Sequence, residues 1–201
     1  MPHPAVARLL ALLPPPDSGG DTVDWETIEQ QTHVRFPADY REFVETYGGG
    51  EIDDYFSVDT PPVPGSPYGD LLDKLNPTLH DSDRRELVSH LPGKDLPPLL
   101  PFAGSASSDV AFWLREGAPD DWRVAVFRRQ TPQGKDTWSI FDGGMAAFCV
   151  AVLTGEADPF SAPIDTADQH VFVSWRPRTT RDGQTAAGTG RTGGTTRPTT
   201  G

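Results

Sequence analysis

Residues Phe36 to Val58 constrain the fold more than any other stretch of the chain. Phe36-Pro37 opens a helix with proline in its first turn, where the missing N–H has no intrahelical acceptor to lose. Tyr40, Phe43, Val44 and Tyr47 then recur at i, i+3, i+4 and i+7, an apolar stripe along one side of that helix. Gly48 stands where a left-handed C-cap is needed, and Gly49-Gly50 release the chain into Glu51–Val58. There Ile52, Phe56 and Val58 share one parity, the pattern of a half-buried strand. A helix that hands its apolar stripe straight on to a strand predicts helices packed on a sheet.

The flanking segments agree. Residues 4–13 read as a short apolar helix ended by Pro14-Pro15-Pro16, since proline cannot continue the helical ladder. Asp21 and Thr22 are N-cap candidates for a helix through about Gln31, with Trp25, Ile28 and Thr32 on one side. Residues 59–69 form a Pro/Gly loop, Asp70–Leu75 a short helix, and Asp81-Ser82 cap another through Leu91. After Pro97-Pro98 the pattern changes to short strands at Leu99–Ala103, Asp109–Leu114, Arg123–Arg129 and Thr137–Phe141, with turn signals between them. A helix over Met145–Leu153 is apolar nearly all round and therefore buried, and His170–Trp175 reads as a last strand. The predicted class is α+β: a single domain with a mainly antiparallel sheet and packed helices.

Composition enters at the ends. With 36% hydrophobic residues, 21 prolines and 20 glycines in 201 residues, the chain carries one folded body, long loops and an unstructured tail. Beyond Arg176 no residue is large and apolar enough to anchor a fold. From Arg176 onward the chain holds five arginines and one acid, Asp182, or +4 of the overall −12, so residues 1–175 carry −16. Such a body repels nucleic acid and anionic membranes and draws basic partners at long range, although plain solubility accounts for the charge equally well. The start lacks a basic leader region, and the apolar run Ala5–Leu13, broken by Arg8, is too short to span a bilayer. With the single cysteine Cys149, this predicts a soluble cytoplasmic protein without disulfides.

No catalytic or metal constellation assembles. The glycine run Gly48–Gly50 follows a helix, whose carbonyl end is the wrong sign for phosphate, and no lysine follows it. His3, His33, His80, His90 and His170 are scattered without metal-ligand spacing. Cys149 sits in the most apolar helix, where a thiolate is disfavoured. Ser105–Ser108 lacks nucleophile-elbow spacing and reads as a hairpin connection. The pairs Asp53-Asp54 and Asp120-Asp121 read as solvated loop acids, because neighbours on a strand point to opposite faces. No catalytic residue, cofactor or metal is expected.

Several blocks nevertheless form a signature. Trp25-Glu26-x-Ile28-Glu29, Phe36-Pro37-Ala38-Asp39-Tyr40-x-x-Phe43 and Tyr47-Gly48-Gly49-Gly50 resemble the opening of SUKH-superfamily domains, which include a yeast cell-wall-assembly regulator. Leu100-Pro101-Phe102-Ala103-Gly104 with Asp109–Trp113 is similar to the second block, and Pro119–Val124 and Met145–Glu156 continue the order. The resemblance covers about Trp25 to Glu156. Phe36 stands where leucine is commoner, and residues 59–98 are longer and richer in proline than the family pattern. It implies a non-catalytic protein-binding domain at 21–175, after an N-terminal helix and Pro-rich loop at 1–20 and before a disordered Gly/Thr/Arg-rich tail at 176–201. For a bacterial chain it further implies an immunity protein that binds and blocks a cognate toxin domain, such as a nuclease. A regulatory scaffold of the same fold, binding a cellular partner, is the other implied role.

For a binding module, exposed acids beside aromatics are the candidate contacts, because aromatic anchors supply most interface energy and charge steers the encounter. The candidates are Glu51, Asp53, Asp54 and Tyr55 after the glycine run, then Tyr68, Asp70 and Asp73 in the long insertion, and Asp120, Asp121 and Trp122 in a turn before a strand. Trp113 reads as core, whereas Trp122 is open between core and surface. The expected partner is a protein with a basic face, with no nucleic acid bound through the folded body.

Overall fold

The computed structural model describes residues 2–75, 77–93, 95–131, 133–164, 166 and 169–176. The tail expected to be disordered lies, from residue 177 on, outside the described residues. Three helices come first: α1 (Pro4–Leu12), α2 (Trp25–Thr32) and α3 (Ala38–Tyr47). The hairpin β1 (Gly50–Ile52) and β2 (Phe56–Val58) follows, then a 3-10 turn at Leu71–Lys74 and α4 (Asp81–Ser89). Next are β3 (Leu99–Ser105), β4 (Val110–Leu114), a 3-10 turn at Pro119–Asp121, β5 (Arg123–Phe127) and β6 (Trp138–Phe141). The chain ends with α5 (Met145–Leu153) and β7 (Phe172–Ser174).

Among the described residues these strands form one seven-stranded sheet in the order β6-β5-β4-β3-β2-β1-β7, antiparallel throughout. The architecture is the expected α+β class. The first six strands run as a meander, and the last returns to the far edge beside β1. Alternation then sorts side chains between the faces. Ala111, Trp113, Val124 and Val126 join Ile52, Phe56, Val58, Phe43 and Tyr47 in one core, while Phe112, Leu114, Ala125 and Trp138 join Leu87 in a second. α3 and α5 pack together under the first face, and α1 packs on α5. In α5 all nine residues but Ala147 are buried, which explains its apolar circumference. At the centre Trp113 stacks on Phe102 with ring centroids 4.4 Å apart and takes Tyr40 edge-on at 4.8 Å.

Several local expectations change. The stretch 51–58 is a hairpin instead of one strand: Asp53 and Asp54 both take positive φ (54° and 53°), and the Tyr55 N–H donates to the Ile52 carbonyl at 3.0 Å. Aspartate tolerates left-handed backbone better than most residues, which permits the tight reversal. Ile52 and Phe56 keep the same parity because they are cross-strand partners. The second helix is capped by Asp24, which accepts from the Thr27 N–H at 3.1 Å, and Asp21 and Thr22 lie outside it. In α4, Asp81 and Ser82 belong to the first turn and His80 holds the N-cap position. Within the N-terminal segment, Val6, Leu9 and Leu13 are buried. The Tyr47 hydroxyl donates to the Leu13 carbonyl at 2.6 Å, and the His170 N–H donates to the Leu12 carbonyl at 3.0 Å.

Gly48 is required twice. Its φ of 73° closes α3, and a Cβ there would meet the Asp21 carboxylate at 2.8 Å.

Candidate protein-binding surface

The second face of the sheet is only partly covered. Leu87 of α4, with Leu79, Leu91 and Leu96, packs over the β3–β6 end, and that second core stops there. Over β7, β1 and β2 the outward positions are Val173, Glu51 and Ser57, in direct cross-strand register. The Tyr68 hydroxyl reaches over from the insertion and donates to Glu51 Oε1 at 2.7 Å. Burial, then the hydrogen bond to that carboxylate and its charge, hold the Tyr68 phenol well above its ordinary range. Val171 (58% exposed) and Val173 (47%) are the exposed large hydrophobics among the described residues, and both lie at β7.

The hairpin tip divides its two acids. Asp53 is a structural clasp: its carboxylate takes His170 Nδ1 at 2.6 Å and the Val171 N–H at 2.9 Å, and its own N–H donates to the Val171 carbonyl at 3.0 Å. Asp54 is exposed beside it. Tyr55 is half-buried, with its hydroxyl donating to the Ala162 carbonyl at 2.9 Å and its ring edge-on to Phe160. The tip thus offers Asp54 outward and uses Asp53 and Tyr55 inward.

In the insertion, Lys74 bridges Asp59 at 2.7 Å and Asp70 at 3.1 Å, so Asp70 already shares a cation of the chain. Burial pushes the Asp59 carboxyl up against the opposing pull of Lys74. Lys74 is itself raised, because the two carboxylates outweigh the burial that would lower it. Asp73 is exposed and rims a groove with Asp59, Lys74, Ala103 and Phe112.

The third cluster sits elsewhere. Register places Arg123 opposite Leu114 and Leu99, at the end of the strands away from the 53–55 tip. There Asp120 accepts from the Ala38 N–H at 2.7 Å and caps α3, whose own N-cap is Pro37. Trp122 is buried at 6% exposure with its ring against Trp113, so the core reading of Trp122 holds and it presents no aromatic anchor. Asp120 and Asp121 are both exposed, and Asp120 is engaged as the cap. The structure thus gathers Glu51, Asp54 and Tyr68 at the β7–β1–β2 end and separates Asp120, Asp121 and Trp122 from them.

Three further buried carboxylates, Asp21, Asp39 and Asp109, hold backbone N–H groups distant in the chain. Asp21 accepts from the Gly49 N–H at 2.8 Å, from Trp175 Nε1 at 3.1 Å, and from Arg176 Nη2 at 2.6 Å. Arg176, placed in the tail by composition, is therefore fastened to the body. Asp39 accepts from the Ala146 N–H at 2.9 Å at the start of α5. Asp109 collects the Arg129 N–H at 2.9 Å, the Ser161 N–H at 2.8 Å and the Ser105 hydroxyl at 2.9 Å. A glycine run with free N–H groups is the one signal that asked for an acceptor such as Asp21.

Burial drives the Cys149 thiol far above its ordinary value. Among the described residues no cluster of His, Cys, Asp and Glu could hold a metal ion, and no helix is long and apolar enough to cross a membrane.

The described residues thus form a helix-backed antiparallel sheet whose second face is partly open and carries acids at its β7–β1–β2 end. The family model described as SMI1-KNR4 cell-wall (SUKH_6) matches residues 23–142, more than half of the chain, and the chain belongs to that family within the SUKH superfamily. The family is generally non-catalytic and associated with protein-partner binding. The match takes in α2 to β6 and stops before α5. No curated protein and no solved structure matches the chain.

Proposed function

We propose that this chain is an immunity protein: a non-catalytic domain that binds a cognate toxin domain in the cytoplasm and blocks it. The observation that carries the reading is the β7–β1–β2 quarter of the sheet, which no helix covers and over which only Tyr68 reaches. Exposed valines there lie beside Glu51 and Asp54, on a body of net charge −16. Apolar surface rimmed by one sign of charge suits a partner of opposite sign, with charge steering the encounter and burial holding it. A toxin that acts on nucleic acid has a basic cleft, and an acidic inhibitor competes for it with the polyanionic substrate.

The test is a tagged pull-down from the native host at low and at high salt, with the eluate identified by mass spectrometry. Recovery of one toxin-domain protein, weakened by salt, is the expected result. Recovery of assorted cellular proteins at both salts would overturn the reading. The cell-wall description of the matching family favours a second role, a regulatory scaffold holding a cellular partner, and that outcome would select it.

A further inference from the structure

The free edge of β7 is built to accept another strand. β7 is the last strand of the sheet, and its hydrogen bonds to β1 use only alternate residues. The Val171 carbonyl accepts from the Asp53 N–H at 3.0 Å, and the Trp175 N–H donates to the Gly49 carbonyl at 3.2 Å. Residues 171, 173 and 175 therefore face β1, and the N–H and C=O groups of Phe172 and Ser174 face away from it. Among the described residues, none makes a hydrogen bond to those outward backbone groups. They open on a cleft of about 620 Å³ between β7 and the segment Pro14–Ser18. Its far wall begins with three prolines, which have no N–H and cannot complete the ladder themselves. Most sheets blunt such an edge with charge, proline or a covering element, whereas here two exposed valines flank it.

The geometry points to strand addition at this edge: an extended segment of a protein partner, carrying basic side chains, pairs with Phe172 and Ser174 and lies in the cleft. Main-chain hydrogen bonds supply the affinity in such a mode, and side chains at alternate positions supply the choice of partner. Charge selects the occupant. Asp17 lines the cleft, Glu51 is the cross-strand neighbour of Val173, and Asp54 lies at the adjoining tip. The nearby guanidinium of Arg176 is already engaged with Asp21, and the His170 imidazole is held by Asp53. A second copy of this body, also at −16, is repelled from such an edge. The segment after Arg176 is basic but holds no apolar residue larger than proline to lie against Val171, Val173 and the proline wall. The inference rests on the protein-binding reading and adds to it the place and the backbone geometry of the contact.

The probe is a synthetic peptide of alternating lysine and valine, with a glutamate–valine peptide as the charge control. Binding is followed by fluorescence anisotropy and by amide hydrogen exchange of the full chain. The expected result is salt-sensitive binding of the lysine peptide alone, with slowed exchange at Phe172 and Ser174. Ser174→Pro removes the outward N–H without breaking a ladder bond, as edge prolines do, and should weaken binding about tenfold. Ser174→Ala keeps the N–H, loses the same hydroxyl, and should bind like the parent; matched melting temperatures show that both variants fold.

No binding of the lysine peptide, or equal binding by Ser174→Pro, overturns the proposal. Slow exchange at Phe172 and Ser174 in the free chain that becomes fast on removal of residues 177–201 assigns the edge to the chain's own tail and also overturns it. So does a dimer in sedimentation that Ser174→Pro dissociates. The proposed function fails separately: a toxin inhibited equally by parent and Ser174→Pro removes only the edge, whereas peptide binding without toxin inhibition removes only the toxin.

Discussion

On one face of the sheet, α3, α5 and α1 cover a core of aromatic and branched residues that reaches from Val124 and Trp113 to Phe172. On the other, α4 and its flanking loops cover only β3 to β6, and β7, β1 and β2 show Val173, Glu51 and Ser57 outward. Folding demands the first face to be closed, because burial there is what opposes the entropy of the chain. It leaves the second face free to be finished by something else. The difference separates residues kept for stability from residues available for a partner, and it does so by position, since acids occur on both sides of the divide.

The contrast breaks first at Trp113. Trp113→Ala should cost about 3–5 kcal/mol by chemical denaturation, since it empties a fully buried site between Phe102 and Tyr40. A loss under about 1 kcal/mol would mean that the helix-covered face is not the stabilising one.

Alkaline pH attacks the same face. Tyr40, Tyr47 and Cys149 all have values raised chiefly by burial, so the folded state keeps protons that the unfolded chain releases near its ordinary values of 10.0 and 9.0. Their contribution is complete below those values and drains away as pH rises through them. The melting temperature should therefore fall steadily from about pH 9 upward. A melting temperature flat to pH 11 would contradict the burial of all three, and Tyr47→Phe should flatten part of the slope.

Leu87→Ala probes the second face, where a smaller core should lose about 2–3 kcal/mol, at the low end for buried leucines. A loss equal to that of Trp113→Ala would abolish the asymmetry. The acids then sort by role. Asp120→Ala removes the cap on Ala38 and should cost about 1 kcal/mol. Asp54→Ala should change stability by no more than about 0.5 kcal/mol, while Asp54→Lys should slow association with a basic partner. Equal stability losses at Asp54 and Asp120 would undo the assignment of one to the surface and the other to the frame.

Much of the fold was legible because its signals are local. The stripe Tyr40, Phe43, Val44 and Tyr47, the apolar circumference of α5 and the short apolar β-rich runs of β4 and β5 each announce themselves within ten residues. The hairpin at Asp53-Asp54 escaped because a tight reversal returns Ile52 and Phe56 to the same face, as a continuous strand would. The candidate surface was harder. An aspartate in a loop looks the same whether it faces water or caps a helix 82 residues away, as Asp120 does for Ala38. Asp53 pairs with His170, 117 residues on, and Asp39 caps α5, 107 residues on. No periodicity records such partners. Glu51 on β1, Asp54 in the turn and Tyr68 in the insertion stand outside the apolar core positions, so the sequence leaves them as candidates.

Toxin inhibition by the purified chain tests the central claim most directly. Residual activity of a toxin domain recovered with this chain from its host would be read as the chain is titrated in, at low and at high salt. Activity lost at equimolar chain and regained with salt is the result expected of an acidic immunity protein. Full activity in excess chain at low salt would contradict it and leave the sheet's open quarter to a cellular partner.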